Sequence, residues 1–351
     1  MDEIRVAVVG YGLAGRVFHA PLIQAHEGLR LVSVVTSNQE RQRQVRQACP
    51  GVLVFDRVDQ LWQRAADHDL VVIATPTESH LPLAKRAIEA GLAVVVDKPF
   101  AVDAASAAEL VAAAEAKSVP LTVFQNRRLD SDQLTLRRLL AEGALGQVLR
   151  YESRFERWQP QVRSDRWRDV TPADRGGGVL LDLGSHLVDQ ALHLFGPAEV
   201  VHADVRSVRG GVSDDFAFVV LAHGNQEQSH LSVGAMFGAP GPRLRVVGTA
   251  ATFVVYDVDN QEEQLRAGLR PSHAAYGIED SDGWGWLATG GSWLPVAPEP
   301  GAWPQFYADV HRALTEGTPL PVDPRDAVET QRLLDEARAL ATGRAEDAWR
   351  S

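Results

Sequence analysis

Apolar and polar positions divide this chain into two regimes. From Ile4 to Phe124, short apolar runs alternate with helical patterns. Ile4 to Val9 reads as a buried strand. A glycine-rich turn follows, then a helix whose apolar positions include Val17, Leu22 and Ile23. Leu31 to Thr36, Leu70 to Ala74, Leu92 to Val96 and Leu121 to Phe124 read as further strands. Helices run through Leu83, Ala87 and Ile88 and over Ala104 to Ala116. Apolar strands joined by helices imply right-handed crossovers and a parallel sheet. The expectation is an α/β chain whose residues 1–124 form a Rossmann, doubly wound nucleotide domain.

The pattern then changes. After a helix around Leu134 to Glu142, Val148 to Phe155 alternates as a half-buried strand. Val200 to Val205, Phe216 to Ala222, Gln228 to Met236, Arg243 to Val247 and Thr252 to Tyr256 are strand-like runs without helices between them. Such runs suggest antiparallel pairing. Helical patterns close the chain around Phe306 to Leu314 and Pro324 to Ala341, while 257–300, rich in glycine, tryptophan and proline, shows no clear period. Residues 125–351 are therefore expected to form an α+β domain with a largely antiparallel open sheet.

Composition narrows the function classes. The chain has 351 residues, 45% hydrophobic and 23% charged, and a net charge of −11. That length suits two domains, and that charge gives no nucleic-acid surface. One cysteine, Cys49, allows no intrachain disulfide and no multi-cysteine metal site. Met1-Asp2-Glu3 leads straight into an apolar strand, and no apolar run reaches the length of a membrane span. The expectation is a cytoplasmic protein with no membrane partner. Only three of the 35 basic residues are lysines, which draws attention to Lys98, in a loop after an apolar strand.

Two motifs carry the candidate chemistry. Gly10-Tyr11-Gly12-Leu13-Ala14-Gly15 fits G-x-G-x-x-G between a strand and a helix, the setting in which a glycine loop cradles a dinucleotide pyrophosphate. The second strand ends in Thr36-Ser37-Asn38, with Arg41 and Arg43 nearby, and not in the acidic residue that usually binds the NAD ribose. This favours NADP and leaves NAD open. Downstream, Asp182, His186 and Asp189 follow a Gly176-Gly177-Gly178 run at spacings of four and three. On a helix they would share a face, with a carboxylate one turn from an imidazole base. The same spacing fits the solvated side of an amphipathic helix, and Asp with His could also hold a divalent cation.

The residues also carry a resemblance. The glycine loop, Ala74-Thr75-Pro76 with His80, Asp97-Lys98-Pro99, Asn126-Arg127-Arg128 and the Asp182–His186–Asp189 segment resemble the Gfo/Idh/MocA oxidoreductases. Val17-Phe18-His19-Ala20-Pro21-Leu22, Arg166-Trp167-Arg168 and Asp189-Gln190-Ala191-Leu192-His193-Leu194-Phe195-Gly196 are similar to the NADP-dependent scyllo-inositol 2-dehydrogenase branch. The resemblance implies hydride transfer between nicotinamide and a cyclic polyol or sugar, first of all scyllo-inositol or inosose. It implies Lys98, Asp182 and His186 as the catalytic set, with Asp182 positioning His186 and Lys98 polarising the reacting oxygen. Thr75, Pro76, His80, Asp97, Lys98 and Asn126 join the cofactor site. Asn126, Arg128, Arg166, Trp167 and Asp189 join Lys98, Asp182 and His186 as substrate candidates. A homodimer or homotetramer is implied, with residues 125–351 serving substrate binding and oligomerisation. Two departures stand out: Asp97 replaces the usual Glu, and Gln125 with Leu129 replace the branch's His and Trp around Asn-Arg-Arg. The alternative is an inactive cofactor-binding sensor of the same fold, against which the presence of Lys98, Asp182 and His186 argues.

Overall fold

Six apolar runs pair as parallel strands in the computed structural model, which describes residues 3–348. They are β1 (Ile4–Val9), β2 (Leu29–Val35), β3 (Leu53–Phe55), β4 (Leu70–Ile73), β5 (Ala93–Asp97) and β6 (Leu121–Phe124), in the order β3-β2-β1-β4-β5-β6. Val6, Ala7, Val8, Val71, Val72, Val95 and Val96 are buried, as the central strands of a sheet covered on both faces require. The order reverses between β1 and β4. Ligands of such sheets bind there, at the carboxyl ends of the strands. Gly10 leaves β1 at this point and Ala74 leaves β4.

The second sheet contains β7 (Val148–Glu156), β8 (Ala198–Arg206), β9 (Phe216–His223), β10 (Gln228–Gly234), β11 (Leu244–Gly248), β12 (Thr252–Val255), β13 (Gly285–Thr289) and β14 (Ser292–Val296). Their order is β14-β13-β12-β11-β7-β10-β9-β8. Only β7 and β10 pair in parallel; the other neighbours are antiparallel. Leu187 and Val188 of the helix Ser185–Phe195, with Leu333, Leu334 and Ala337 of the helix Pro324–Ala348, share a buried apolar cluster with this sheet.

Trp303–Glu316, late in the chain, returns to the nucleotide domain. Phe306 meets Phe124 edge-to-face at 4.9 Å, and Trp303, Phe306, Tyr307 and Val310 lie in the same buried cluster as β1 and β4. The two halves are therefore joined by packing as well as by the chain.

Two helices differ from the expectation. The helix after the glycine loop begins as a wide π turn, Ala14–His19, before the short α-helix Ala20–Gln24. Likewise Leu180–Gly184 is a π turn leading into Ser185–Phe195. Both wide turns contain a tightly packed glycine. A Cβ on Gly15 would lie 2.0 Å from Gly10 O, and one on Gly184 would lie 3.2 Å from Leu180 Cδ1. Such i→i+5 turns recur at functional sites. Among the described residues no helix is long and apolar enough to cross a membrane.

Candidate active site

A cleft of about 2190 Å³, measured to its open mouth, runs from the glycine loop to the π turn at Asp182. At the nucleotide end, Gly10 sits at φ +97°, a backbone conformation that side-chain-bearing residues rarely adopt. A Cβ there would lie 2.3 Å from Ala74 O, so β1 and β4 can approach only with glycine. Gly12, by contrast, faces open space, its nearest neighbour being Arg41 Nη1 at 3.9 Å from an added Cβ. A bare loop backbone with a guanidinium beside it suits a phosphate.

Gly10, Tyr11, Gly12, Leu13, Ala14, Thr36, Ser37, Arg41, Thr75, Pro76, Asp97, Lys98 and Asn126 all line this cleft. Gly15 does not; it packs behind the loop, against Gly10. His80 does not line it either. Its ring is buried, with Nδ1 2.9 Å from Pro99 O and Nε2 2.9 Å from Thr75 O. It ties together the two loops that flank the cleft instead of contacting a ligand. Asp56, from the end of β3, also lines this end and adds a carboxylate that the sequence pattern did not place there.

At the other end, Lys98, Asp182, His186, Arg166 and Trp167 line the same cleft. Lys98 Nζ donates to Asp182 O at 2.9 Å and to Asp182 Oδ1 at 3.1 Å. Arg168 Nε lies 2.9 Å from the same Oδ1. Burial alone would raise the Asp182 carboxyl, but Lys98 and Arg168 outweigh it and hold it well below the usual carboxylate range. Burial pushes the Lys98 ammonium below its ordinary value, with Asp182 opposing the shift.

His186 is buried, and burial lowers its pKa well below the ordinary histidine value, with Lys98, Arg127, Arg243 and Arg168 adding to the effect. The ring is therefore neutral near pH 7 and able to accept a proton. Its Nδ1 has no hydrogen-bond partner among the described residues. Asp182 is thus not the group that orients His186. The wide π turn carries its carboxylate to Lys98 and Arg168, and Phe155, with its ring centroid 6.1 Å away, flanks the imidazole.

Asp189 and Arg128 leave the substrate set as well. Arg128 Nε and Nη2 donate to Asp189 at 2.8 and 2.6 Å, and Nη2 also reaches Asp326 at 3.0 Å. Both members are buried and neither lines the cleft, so the pair braces the helix Ser185–Phe195 against the chain after β6. The shared face expected for Asp182, His186 and Asp189 is broken by the π turn. Among the described residues no three His, Cys, Asp or Glu side chains converge as a cation site.

Sequence reading missed several cleft residues. Arg157 follows β7, Arg168 stacks over Trp167 at 4.5 Å, and Glu262 pairs with Arg127 at 3.3 Å and with Arg266 at 2.8 Å. Arg168 was quoted beside Arg166 and Trp167 without a role. His19 was quoted within a motif without a role. Its Nδ1 lies 2.7 Å from Tyr307 Oη and its Nε2 3.6 Å from Asp97 Oδ1. Burial favours the neutral Asp97 carboxyl, yet His19 and then Lys98 hold it below the ordinary range.

Comparison with known proteins bears on both halves of the chain. Residues 4–125 match the model of the oxidoreductase family's NAD-binding Rossmann fold, and residues 137–344 match that of its C-terminal alpha/beta domain. The chain is 39% identical to the uncharacterized oxidoreductase YdgJ of Escherichia coli (strain K12), over 95% of each chain. It is 33% identical to the scyllo-inositol 2-dehydrogenase (NADP(+)) IolW of Bacillus subtilis (strain 168), over 96% of this chain and 93% of that one. Among solved structures, yvaA from Bacillus subtilis, named as an oxidoreductase, superposes with a TM-score of 0.90 at 32% identity, covering 98% of this chain and 97% of that one. With matches over both domains and nearly the whole length, the chain belongs to the Gfo/Idh/MocA oxidoreductase family.

Proposed function

We propose that this chain is an NADP-dependent dehydrogenase or reductase acting on the secondary alcohol or ketone of a cyclic polyol or sugar, with scyllo-inositol and inosose as the first pair to assay. The observation that carries this reading is the meeting of Lys98, Asp182 and His186 in one cleft with the glycine loop. Bound NADP would supply the nicotinamide that takes or gives the hydride. The remaining chemistry belongs to the chain. His186, neutral in its buried setting, accepts the hydroxyl proton during oxidation. Lys98, desolvated and pinned by the two bonds it donates to Asp182, presents a fixed positive charge to the developing alkoxide. Asp182 acts through Lys98, while Arg168 shares its carboxylate. Reduction runs the same steps backwards.

The preference for NADP rests on Arg41 beside Gly12 and on the absence of a carboxylate at Thr36-Ser37. The name of the B. subtilis relative, which includes NADP(+), supports the same choice. Fluorescence titration should show NADPH binding more tightly than NADH. Equal or tighter NADH binding would overturn the preference. The activity is tested by NADPH oxidation against a panel of keto-sugars and inosose; no turnover with any of them would shift the reading to a sensor.

A further inference from the structure

We infer that the substrate half of the cleft contains an anion subsite, formed by Arg157 and Arg166, that receives a carboxylate or phosphate group carried by the polyol or sugar. This rests on reading the cleft as a polyol or sugar dehydrogenase site and narrows its substrate class. Charge pairing around the cleft leads to it. Asp182 is taken by Lys98 and Arg168, and Glu262 by Arg127 and Arg266. Asp165 pairs with Arg163 at 2.7 Å, and Asp97 faces His19. Arg41 stands at the glycine loop, at the nucleotide end.

Arg157 and Arg166 are left in the substrate half without an ion pair. Among the described residues, the Arg157 side chain makes no hydrogen bond, and Arg166 donates only to Gln159 Oε1, at 2.8 Å. Both stand where the cleft meets a side chamber of about 530 Å³, which also shares Arg168, Asp182 and Leu183 with the cleft. The chamber's other arginine, Arg209, is closed off by Asp215 at 2.9 Å and Asp169 at 3.5 Å.

A neutral polyol offers these guanidiniums only hydroxyl oxygens, whereas a carboxylate or phosphate offers charge-assisted, forked acceptors. Arg127 and Arg166 repel the Arg157 charge, opposed by Asp182 and Glu262, and an anion bound between Arg157 and Arg166 would offset that repulsion.

The test uses the full chain with NADPH and three ketone probes: scyllo-inosose (neutral), 5-keto-D-gluconate (carboxylate) and D-fructose 6-phosphate (phosphate). One of the charged probes should exceed inosose in kcat/KM by about tenfold or more. Arg157→Gln and Arg166→Gln should erase that preference mainly through KM, and Arg157→Lys should restore part of it. Calorimetric titration of the NADP-loaded protein with D-gluconate, D-glucose 6-phosphate and scyllo-inositol reads the subsite without turnover. Anion binding that weakens about tenfold in the glutamine variants, at an unchanged melting temperature, supports the subsite even where no probe is reduced; the activity reading then fails alone. Preference for the neutral compounds in both assays overturns the inference and leaves the dehydrogenase standing. Loss of NADPH affinity in the glutamine variants would also overturn it, by giving the arginines to the cofactor.

Discussion

Lys98 is partly buried and His186 buried at one site, yet the setting serves them differently. Lys98 keeps two acceptors on Asp182, so its charge is held in place, while His186 has no anionic partner and stays neutral. Oxidation needs a neutral His186 and a protonated Lys98. Because the His186 pKa is lowered from 6.5, the acid limb of kcat/KM should fall below pH 6.5. Because the Lys98 pKa is lowered from 10.5, the alkaline limb should appear below pH 10.5. An acid limb above pH 7 in the free enzyme would contradict this assignment. Asp182→Asn should lower turnover, because Lys98 loses its anionic anchor, and should move the alkaline limb further down. Arg128 and Asp189 behave otherwise. Arg128→Ala strands the buried Asp189 carboxylate and should cost about 3–5 kcal/mol of stability in chemical denaturation, while Asp189→Ala leaves Arg128 its pair with Asp326 and should cost less. A variant as stable as the parent but with weakened substrate binding would restore Asp189 to the substrate site. At this scale the sequence was legible for residue types and not for partners. Spacing singled out Asp182, His186 and Asp189, but no spacing rule shows that Lys98, 84 residues away, or Arg168 would claim the Asp182 carboxylate.

The two π turns matter at the level of elements. An α-helical reading places Asp182 over His186; the wider turn at Leu180–Gly184 releases it toward Lys98. The turn is set by tertiary packing around Gly184 against Leu180 and Leu334, which local propensity does not encode. The strands of the nucleotide domain were readable because continuous apolar runs with glycine or proline ends have one reading in a parallel sheet. β3, three residues long and only partly buried, gave no such signal. The hairpin β13–β14 did carry one, in Gly290-Gly291, where both residues have positive φ and Thr289 pairs with Ser292. The glycine loop supplies the prediction at this scale. Gly10→Ala would place a methyl 2.3 Å from Ala74 O, backbone that cannot swing aside. NADPH affinity should fall by at least tenfold, or the protein should fail to fold; parental affinity in titration would show that the loop is not the dinucleotide cradle.

For the whole molecule, the second sheet ends in a hairpin that leaves Trp293 51% and Leu294 61% exposed, with Tyr256 58% exposed after β12. Large apolar side chains in such an open arrangement are commonly covered by another subunit. Light scattering at micromolar concentration should therefore show a homodimer or homotetramer; a monomer would contradict this expectation. The helix Trp303–Glu316 packs on the nucleotide domain although it follows the second sheet, so the cleft walls are held from both ends of the chain. On the proposed mechanism this cleft performs proton and hydride chemistry with His186 as its base. The most direct measurement is steady-state NADPH oxidation with a ketone that the parent protein reduces, comparing it with His186→Ala and Lys98→Met. Each variant should retain NADPH affinity and lose two or more orders of magnitude in turnover, the scale of general-base and charge-stabilisation losses. Near-parental turnover in His186→Ala would contradict the account.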